Sequence, residues 1–497
     1  MLMFWKNRTT GNGQKNKKHL HKMKHTAVTT EALENLLANM NDAEIIERQN
    51  AKGQKATIAY IKTLIDQERL NETVIEPLMR GYNDTVIECI AASKILQIST
   101  LEEAQKQLMF GSILIKDSLH NQWWAVLLGN PLSRAIETSE QETILYGAKD
   151  SFSEQLEQNI TLIRRRLPIT ELKAEKFTVG SLSETMVVLM YIEGLTNPEY
   201  ISIAKKKISE INYDVFFDSS QVAAFMEDHH HSVFPQFQHT DRPDVCAALL
   251  GLGKITILVG NTPFALIAPI TLFHLFQSPE DYINRWLVAS FLRFIRYVSF
   301  FLSVVLIPIY VAATTHHYQV MPLQVLSVLV ESRSKLPFSP FWEAFFMLIT
   351  IEIIKEASLR MPSKSSQTLG MIGGIVIGQA AVEAGFASKL LIVLMGISAI
   401  VSFLVPNYLM TKANTLIQFA FLLLSSLFGV PGIALGMIVI LAHLNGLTSL
   451  KQPYFAPVAP FYWKDWIDLF IRGPITWMKS RPEHLHPLQK WRYGRRR

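Results

Sequence analysis

The stretch "ITILVGNTPFALIAPITLFHLF", residues 255–276, carries no formal charge and is long enough to cross a bilayer as a helix. Its reading decides the fold: a crossing adds a membrane span, whereas a reversal closes a sheet. Gly260-Asn261-Thr262-Pro263 interrupts the run at its middle with turn-forming residues, and branched residues dominate both sides. "KITILVG" and "FALIAP" are therefore expected as the strands of a hairpin around "NTP".

Upstream of the hairpin, strand and helix signals alternate. "TMVVLMYIEG" (185–194) is a strand, and Asn197 with Pro198 opens the helix "EYISIAKKKISEI" as N-cap and first helical residue. The same order occurs earlier: "ATIAYIKTLI" (56–65) as strand and "QERLNETVIEPLM" as amphipathic helix. There Thr100 and Glu103 form a capping box for a helix through Met109, and "SILIK" and "QWWAVLL" form another hairpin. Two related α/β subdomains with small mixed sheets are expected, at 31–150 and 151–276.

Downstream, Ser278-Pro279-Glu280-Asp281 starts a linker helix (277–291) that is expected to run through Trp286 into an all-α polytopic transmembrane domain (292–450). Six spans are read there, at about 292–313, 341–358, 367–384, 388–405, 414–429 and 432–447. Apolar residues make up 49% of the 497 residues, and uncharged runs dominate between Arg296 and Leu447. An even number of spans returns the end of the chain to the side of its start, with Arg360, Lys364 and Lys412 on the inner connections.

Both ends are basic: Lys6 to Lys24 in a disordered tail (1–30), and Lys479 to Arg497 in a basic cytoplasmic tail (451–497). Beside membrane segments such tails favour the cytoplasmic side and anionic lipids, and no nucleic-acid reading motif accompanies them. The two cysteines, Cys89 and Cys246, lack metal-ligand spacing and are expected as core thiols. No cleavable leader is read at the start.

"GGIVIGQAAVEAG" (373–385) mixes glycine with carboxamide and carboxylate inside an apolar region. On a helix, Ser365, Thr368, Ile372, Val376, Gln379 and Glu383 share one face, and Gly370, Gly374, Gly378, Ala381 and Gly385 share the opposite one. The small residues suit close packing by a neighbouring helix. The polar face suits a water-filled path with Ile372 and Val376 as its constriction, or hydrogen bonding to a neighbouring helix. Glu352, Lys355, Glu356 and Arg360 end the preceding span at spacings of three and four, either as a vestibule or as a helix leaving the membrane.

Several motifs in order then resemble the A subunit of bacterial spore germinant receptors. They run from "HTDRPDVCAALLGLGKITILVGNTPFALIAPITLFHLFQSPEDYINRW" through "IPIYVAATTHH", "EIIKEASLRMP" and "GGIVIGQAAVEAG" to "PYFAPVAPF", with "GAKDSF" and "NITLIRRRLP" in the front half. The resemblance covers roughly 140–480 and more loosely 50–140; the extra histidines of "HHHSVFPQFQHTDRPD" depart from the pattern. It implies a multi-pass protein of the spore inner membrane with both ends cytoplasmic, beside a transporter-like B subunit and a lipoprotein C subunit. It further implies a homo-oligomeric, pentamer-like ring that conducts ions when nutrient triggers germination. Arg242, Pro243 and Asp244, with Ser278, Pro279, Glu280 and Asp281, are then expected to couple the two halves.

No metal, cofactor or enzymatic activity is expected. His229, His230, His231 and His239 lie on a loop where adjacent rings cannot share one ion, "GLGK" (251–254) lacks the phosphate-loop spacing, and no nucleophile, base and acid set is present. The rival readings are a secondary transporter with "LFGVPGIALG" (427–436) as a broken helix, and a non-conducting scaffold.

Overall fold

In the computed structural model, which describes residues 26–492 apart from 51, 83–84, 93, 118–119, 131–141, 143–145, 335 and 361–377, the front half holds two five-stranded sheets. The first comprises β1 (Ala43–Gln49), β2 (Lys55–Ile61), β3 (Ile95–Ile98), β4 (Ser112–Asp117) and β5 (Gln122–Leu127), ordered β1-β2-β4-β5-β3. The second comprises β6 (Leu172–Val179), β7 (Thr185–Ile192), β8 (Gln238–Thr240), β9 (Ile255–Val259) and β10 (Ala265–Ala268), ordered β6-β7-β9-β10-β8. The two orders correspond strand for strand. Every strand pairing in both is antiparallel, which corrects the expected mixed sheets. The reason is local: β1 with β2, β4 with β5, β6 with β7 and β9 with β10 are joined by short reversals, and a short reversal pairs strands only in opposite directions.

The stretch 255–276 folds back as expected, with Leu258 opposite Ala265 and Thr256 opposite Ile267. Every residue of β9 and β10 is buried. One face of the sheet (Ile255, Ile257, Leu266) packs under α4 (Pro198–Ser209) and α5 (Ser219–Met226) through Ile208, Val222 and Met226; the other (Leu258, Ala265, Ile267) packs under α3 (Leu156–Arg166) and α6 (Pro243–Leu250) through Ile163, Cys246 and Leu250. A central strand covered on both faces has no position for a charge. That accounts for the uncharged run without a membrane.

Two local signals are met in full. Thr100 caps α2 (Leu101–Met109) with both arms of the capping box formed, and the Asn197 side chain accepts from the Glu199 N–H at the start of α4. Cys89 and Cys246 are free thiols. The two sheet units join through Asp42, which accepts two bonds from the buried Arg164 guanidinium at 2.5 and 2.7 Å and a third from Thr63 at 3.0 Å. Arg164 also donates to the Leu172 carbonyl.

The described residues of the back half form helices: α7 (Trp286–Thr315), α8 (Leu323–Arg333), α9 (Pro340–Leu359), a helical segment Gly378–Glu383, α10 (Lys389–Ser402), α11 (Tyr408–Phe428) and α12 (Val430–Gly446). Among the described residues, α7 and α11 are long and apolar enough to cross a membrane, while α10 and α12 are shorter apolar helices. The expected linker helix is not continuous. A single turn, Glu280–Ile283, ends at Asn284, and Asn284 and Arg285 are extended before α7 begins.

Residues 448–492, which include most of the expected tail (451–497), pack back on the α/β half. Tyr454 donates to the Pro235 carbonyl at 2.7 Å, Arg481 to the Gly251 carbonyl at 2.8 Å, and the Leu488 N–H to the Leu195 carbonyl at 2.9 Å. Burial of Tyr454 and Leu485 in apolar contacts outweighs the solvation of a scattered set of basic residues.

Candidate functional site

The helical half buries polar groups within its apolar core and leaves many other apolar side chains exposed. Leu416, Leu423, Leu427, Ile438 and Val439 are exposed, while Asn414, Gln418, Ser303, Ser398 and Ser425 are buried. The buried set is linked: Asn414 donates to the Ser303 hydroxyl at 2.6 Å, Gln418 to Ser398 at 3.0 Å, and Ser398 to the Ser303 carbonyl at 3.3 Å. These contacts, with His316 against the Ser426 carbonyl farther along, show α7 and α11 running side by side in one direction.

Gly429 joins α11 to α12 at φ +66°, a backbone conformation that suits glycine. A Cβ on Gly432 would stand 2.2 Å from the Leu424 carbonyl oxygen, and one on Gly436 would crowd the Phe421 ring at 3.1 Å. The sequence separation of these contacts grows away from Gly429, so α11 and α12 form a tight antiparallel hairpin. The "LFGVPGIALG" break is its turn.

At the junction of the halves, Asp281 is 1% exposed and accepts from Arg293 Nε at 3.0 Å and Arg296 Nη1 at 2.8 Å. Arg293, fully buried, also donates to the Asp468 carboxylate at 2.9 Å and its carbonyl at 2.8 Å, and Tyr282 donates to the same carboxylate at 2.8 Å. Two arginines three residues apart on the inward face of an apolar helix must find anions close by. The single turn 280–283 supplies one and the C-terminal segment the other. Arg293, Arg296 and Asp468 were absent from the expected site, although the arginines' position at the head of an apolar span is itself the signal that charged partners exist.

Arg242, Pro243 and Asp244 occupy a separate network. Arg242, buried, donates to Asp244 at 2.7 Å, to the Ala148 carbonyl at 3.0 Å and to the Glu142 carbonyl at 3.2 Å. Pro243 is the first residue of α6 and Asp244 lies in its first turn. Pro279 is the residue before the short helix Glu280–Ile283, and the Ser278 N–H donates to Asp281 at 3.3 Å.

The expected vestibule residues are brought together at the end of α9, where they are mutually neutralised. Lys355 meets Glu352 at 3.5 Å, Arg360 meets Glu356 at 3.0 Å, and Lys412 of α11 bridges Glu352 and Glu356 at 3.7 and 3.3 Å. Lys355 also donates to the Ser402 hydroxyl at 3.3 Å.

Of the expected pore face, Ser365, Thr368, Ile372 and Val376 lie outside the described residues, as do Gly370 and Gly374 of the packing row. Gln379 and Glu383 are both exposed, and Gln379 donates to Glu383 at 2.9 Å. Gly378 is buried, with Ile392 of α10 3.5 Å from where its Cβ would be, and Ala381 packs into the same helical core. Gly385 departs from the expected packing row. It lies past the last helical residue at φ +66° and donates to the Val382 carbonyl, so it ends the helix. No group of histidine, cysteine and carboxylate side chains among the described residues is arranged to hold a metal ion.

The family model described as Bacillus/Clostridium GerA spore germination protein matches residues 31–484. The chain is 38% identical over 441 residues to spore germination protein GerQA of Bacillus cereus, covering 88% of each chain. It is 33% identical over 462 residues to the uncharacterized membrane protein YfkQ of Bacillus subtilis (strain 168), covering 91% of this chain and 90% of the relative. A solved structure, the N-terminal domain of the A subunit of the Bacillus megaterium spore germinant receptor GerK3, aligns over 48% of this chain and 92% of its own at 24% identity and a TM-score of 0.38. The match across nearly the whole chain, taken with relatives above 30% identity over most of their own length, places the protein in the GerA family of spore germination proteins.

Proposed function

We propose that this chain is the A-type membrane subunit of a nutrient-responsive germinant receptor, and that copies of it form a pentamer-like ring whose axis is an ion path lined by residues 365–383. The observation that carries the reading is the exposure of Gln379 and Glu383 on a helical segment whose opposite side, at Gly378 and Ala381, is packed against the rest of the helical core. A carboxamide and a carboxylate facing outward among apolar helices need water or a second copy; a ring supplies both. The exposed leucines and isoleucines of α11 and α12 support a lipid environment. The return of residues 448–492 to the α/β half supports an even number of crossings, with both ends on the cytoplasmic face of the spore's inner membrane. Neighbouring B and C subunits would bias a closed–open equilibrium through the Asp281 cluster.

The transporter reading loses its main support in the α11–α12 hairpin, because a substrate site built on a broken helix needs the chain to continue onward. The test is single-channel recording from the purified chain in planar bilayers, with cysteines placed at Val376 and Glu383. Discrete conductance steps blocked by a hydrophilic thiol reagent at both positions are expected. Smooth saturable flux, or a silent bilayer with both cysteines inert, would overturn the proposal.

A further inference from the structure

We infer that a cavity between the α/β half and the C-terminal segment is a binding site for a small molecule bearing one anionic group, carboxylate or phosphate, on an apolar body. The cavity measures about 530 Å³, within the roughly 300–1,000 Å³ common for small-molecule sites.

Its lining carries cationic groups with no anion assigned to them. Lys254, immediately before β9, lines the cavity at 4% exposure, and its ammonium makes no hydrogen bond or ion pair among the described residues. The guanidinium of Arg481, also in the lining, donates among the described residues to the carbonyls of Gly251, Gln489 and Trp491. The carboxylates of the lining are already engaged. Asp465 accepts from the His484 ring at 2.7 Å and from two backbone N–H groups, and Asp468 is held by Arg293 and Tyr282. A buried ammonium lining a cavity whose carboxylates already hold other donors calls for an incoming anion.

The rest of the wall is aromatic. Phe273, Trp466 and Trp477 line it, and the Trp466 indole N–H is buried without a partner among the described residues, which offers the anion or its linker one more donor. Burial draws the Lys254 ammonium down to about 7 and holds the neighbouring His274 well below its usual range. Lys254 is therefore only partly charged at neutral pH, and an arriving anion takes up a proton with it.

The site abuts the joint between the halves. Gln277, Tyr282 and Asp468 line the cavity, and Tyr282 and Asp468 belong to the cluster that anchors α7 through Arg293. An occupant thus presses on the side chains that fix the first long helix. This inference goes beyond the conduction reading and does not depend on it.

The test uses the full chain in detergent micelles. Octanoate and glycerol phosphate are titrated calorimetrically in two buffers of different ionisation enthalpy at pH 8, and dioleoylphosphatidylglycerol is measured by native mass spectrometry. Saturable binding of at least one probe is expected, with proton uptake for the soluble anions and an affinity lowered at least tenfold in Lys254→Met. Octanoate or glycerol phosphate binding identifies a soluble ligand, and binding of phosphatidylglycerol alone identifies a lipid headgroup. In the unmutated protein, modification of Lys254 by trinitrobenzenesulfonate, read by peptide mapping, should slow at least fivefold when the probe is bound. Failure of all three probes to bind saturably, unchanged affinity in Lys254→Met, or a Lys254 modification rate indifferent to the bound probe would overturn the site.

Discussion

Leu258 of β9 and Leu427 of α11 carry the same side chain under opposite rules: the first is 1% exposed and the second 59%. In the α/β half, apolar side chains fill two layers on either side of a sheet, and charges are taken inside at a few places, as where Arg164 and Asp42 neutralise each other. In the helical half, a core of apolar residues such as Ile307, Leu391, Phe421 and Leu422 also encloses asparagine, glutamine, serine and arginine, while many further leucines, isoleucines and phenylalanines are exposed. Water drives the first arrangement by expelling apolar surface. In the lipid environment proposed for the second it would not act, and hydrogen bonds and close backbone approach, as at Gly432, would hold the helices together.

The comparison can be broken most severely at the joint. Asp281→Asn leaves Arg293 and Arg296 short of a counter-ion in a dry site, a loss of about 3–5 kcal/mol; thermal unfolding of the purified chain should show it, and little change would mean that solvent reaches the cluster. A charge on the outer face separates the halves next. Ile438→Asp should cost about 2.5–3.5 kcal/mol in a membrane-insertion assay, whereas Leu182→Asp, at an equally exposed site of the α/β half, should stay within about 0.5 kcal/mol in denaturant unfolding. Equal costs at the two sites would erase the proposed lipid boundary.

Smaller effects sharpen the contrast. Thr100→Ala removes one arm of the capping box on α2 and should cost about 1 kcal/mol in chemical denaturation. Asn414→Leu removes the bond to Ser303 and should cost about 0.6 kcal/mol by thermal unfolding in detergent, with an upper bound near 2.

The local elements of the fold were legible because their causes lie within a few residues. The capping box at Thr100, the Asn197-Pro198 start of α4 and the reversal at Asn261 each satisfy backbone groups with neighbours in sequence. Helices α7, α9, α10, α11 and α12 match the apolar runs that announced them to within several residues. The continuous linker helix was misread because its acids suggest a first turn, and nothing local signals that Asn284 and Arg285 become extended. The tail was misread because basic residues spaced among tryptophans resemble a solvated end until their packing surface is known.

Sequence alone thus determined where strands, caps and apolar helices form, and that residues 255–276 turn back instead of crossing. Tertiary structure alone decided which charges meet. Arg164 finds Asp42 across 122 positions, and Arg293 reaches Asp468 across 175. A hydrogen bond within one turn is set by backbone geometry, whereas a buried charge requires whichever opposite charge the completed fold has also taken out of water.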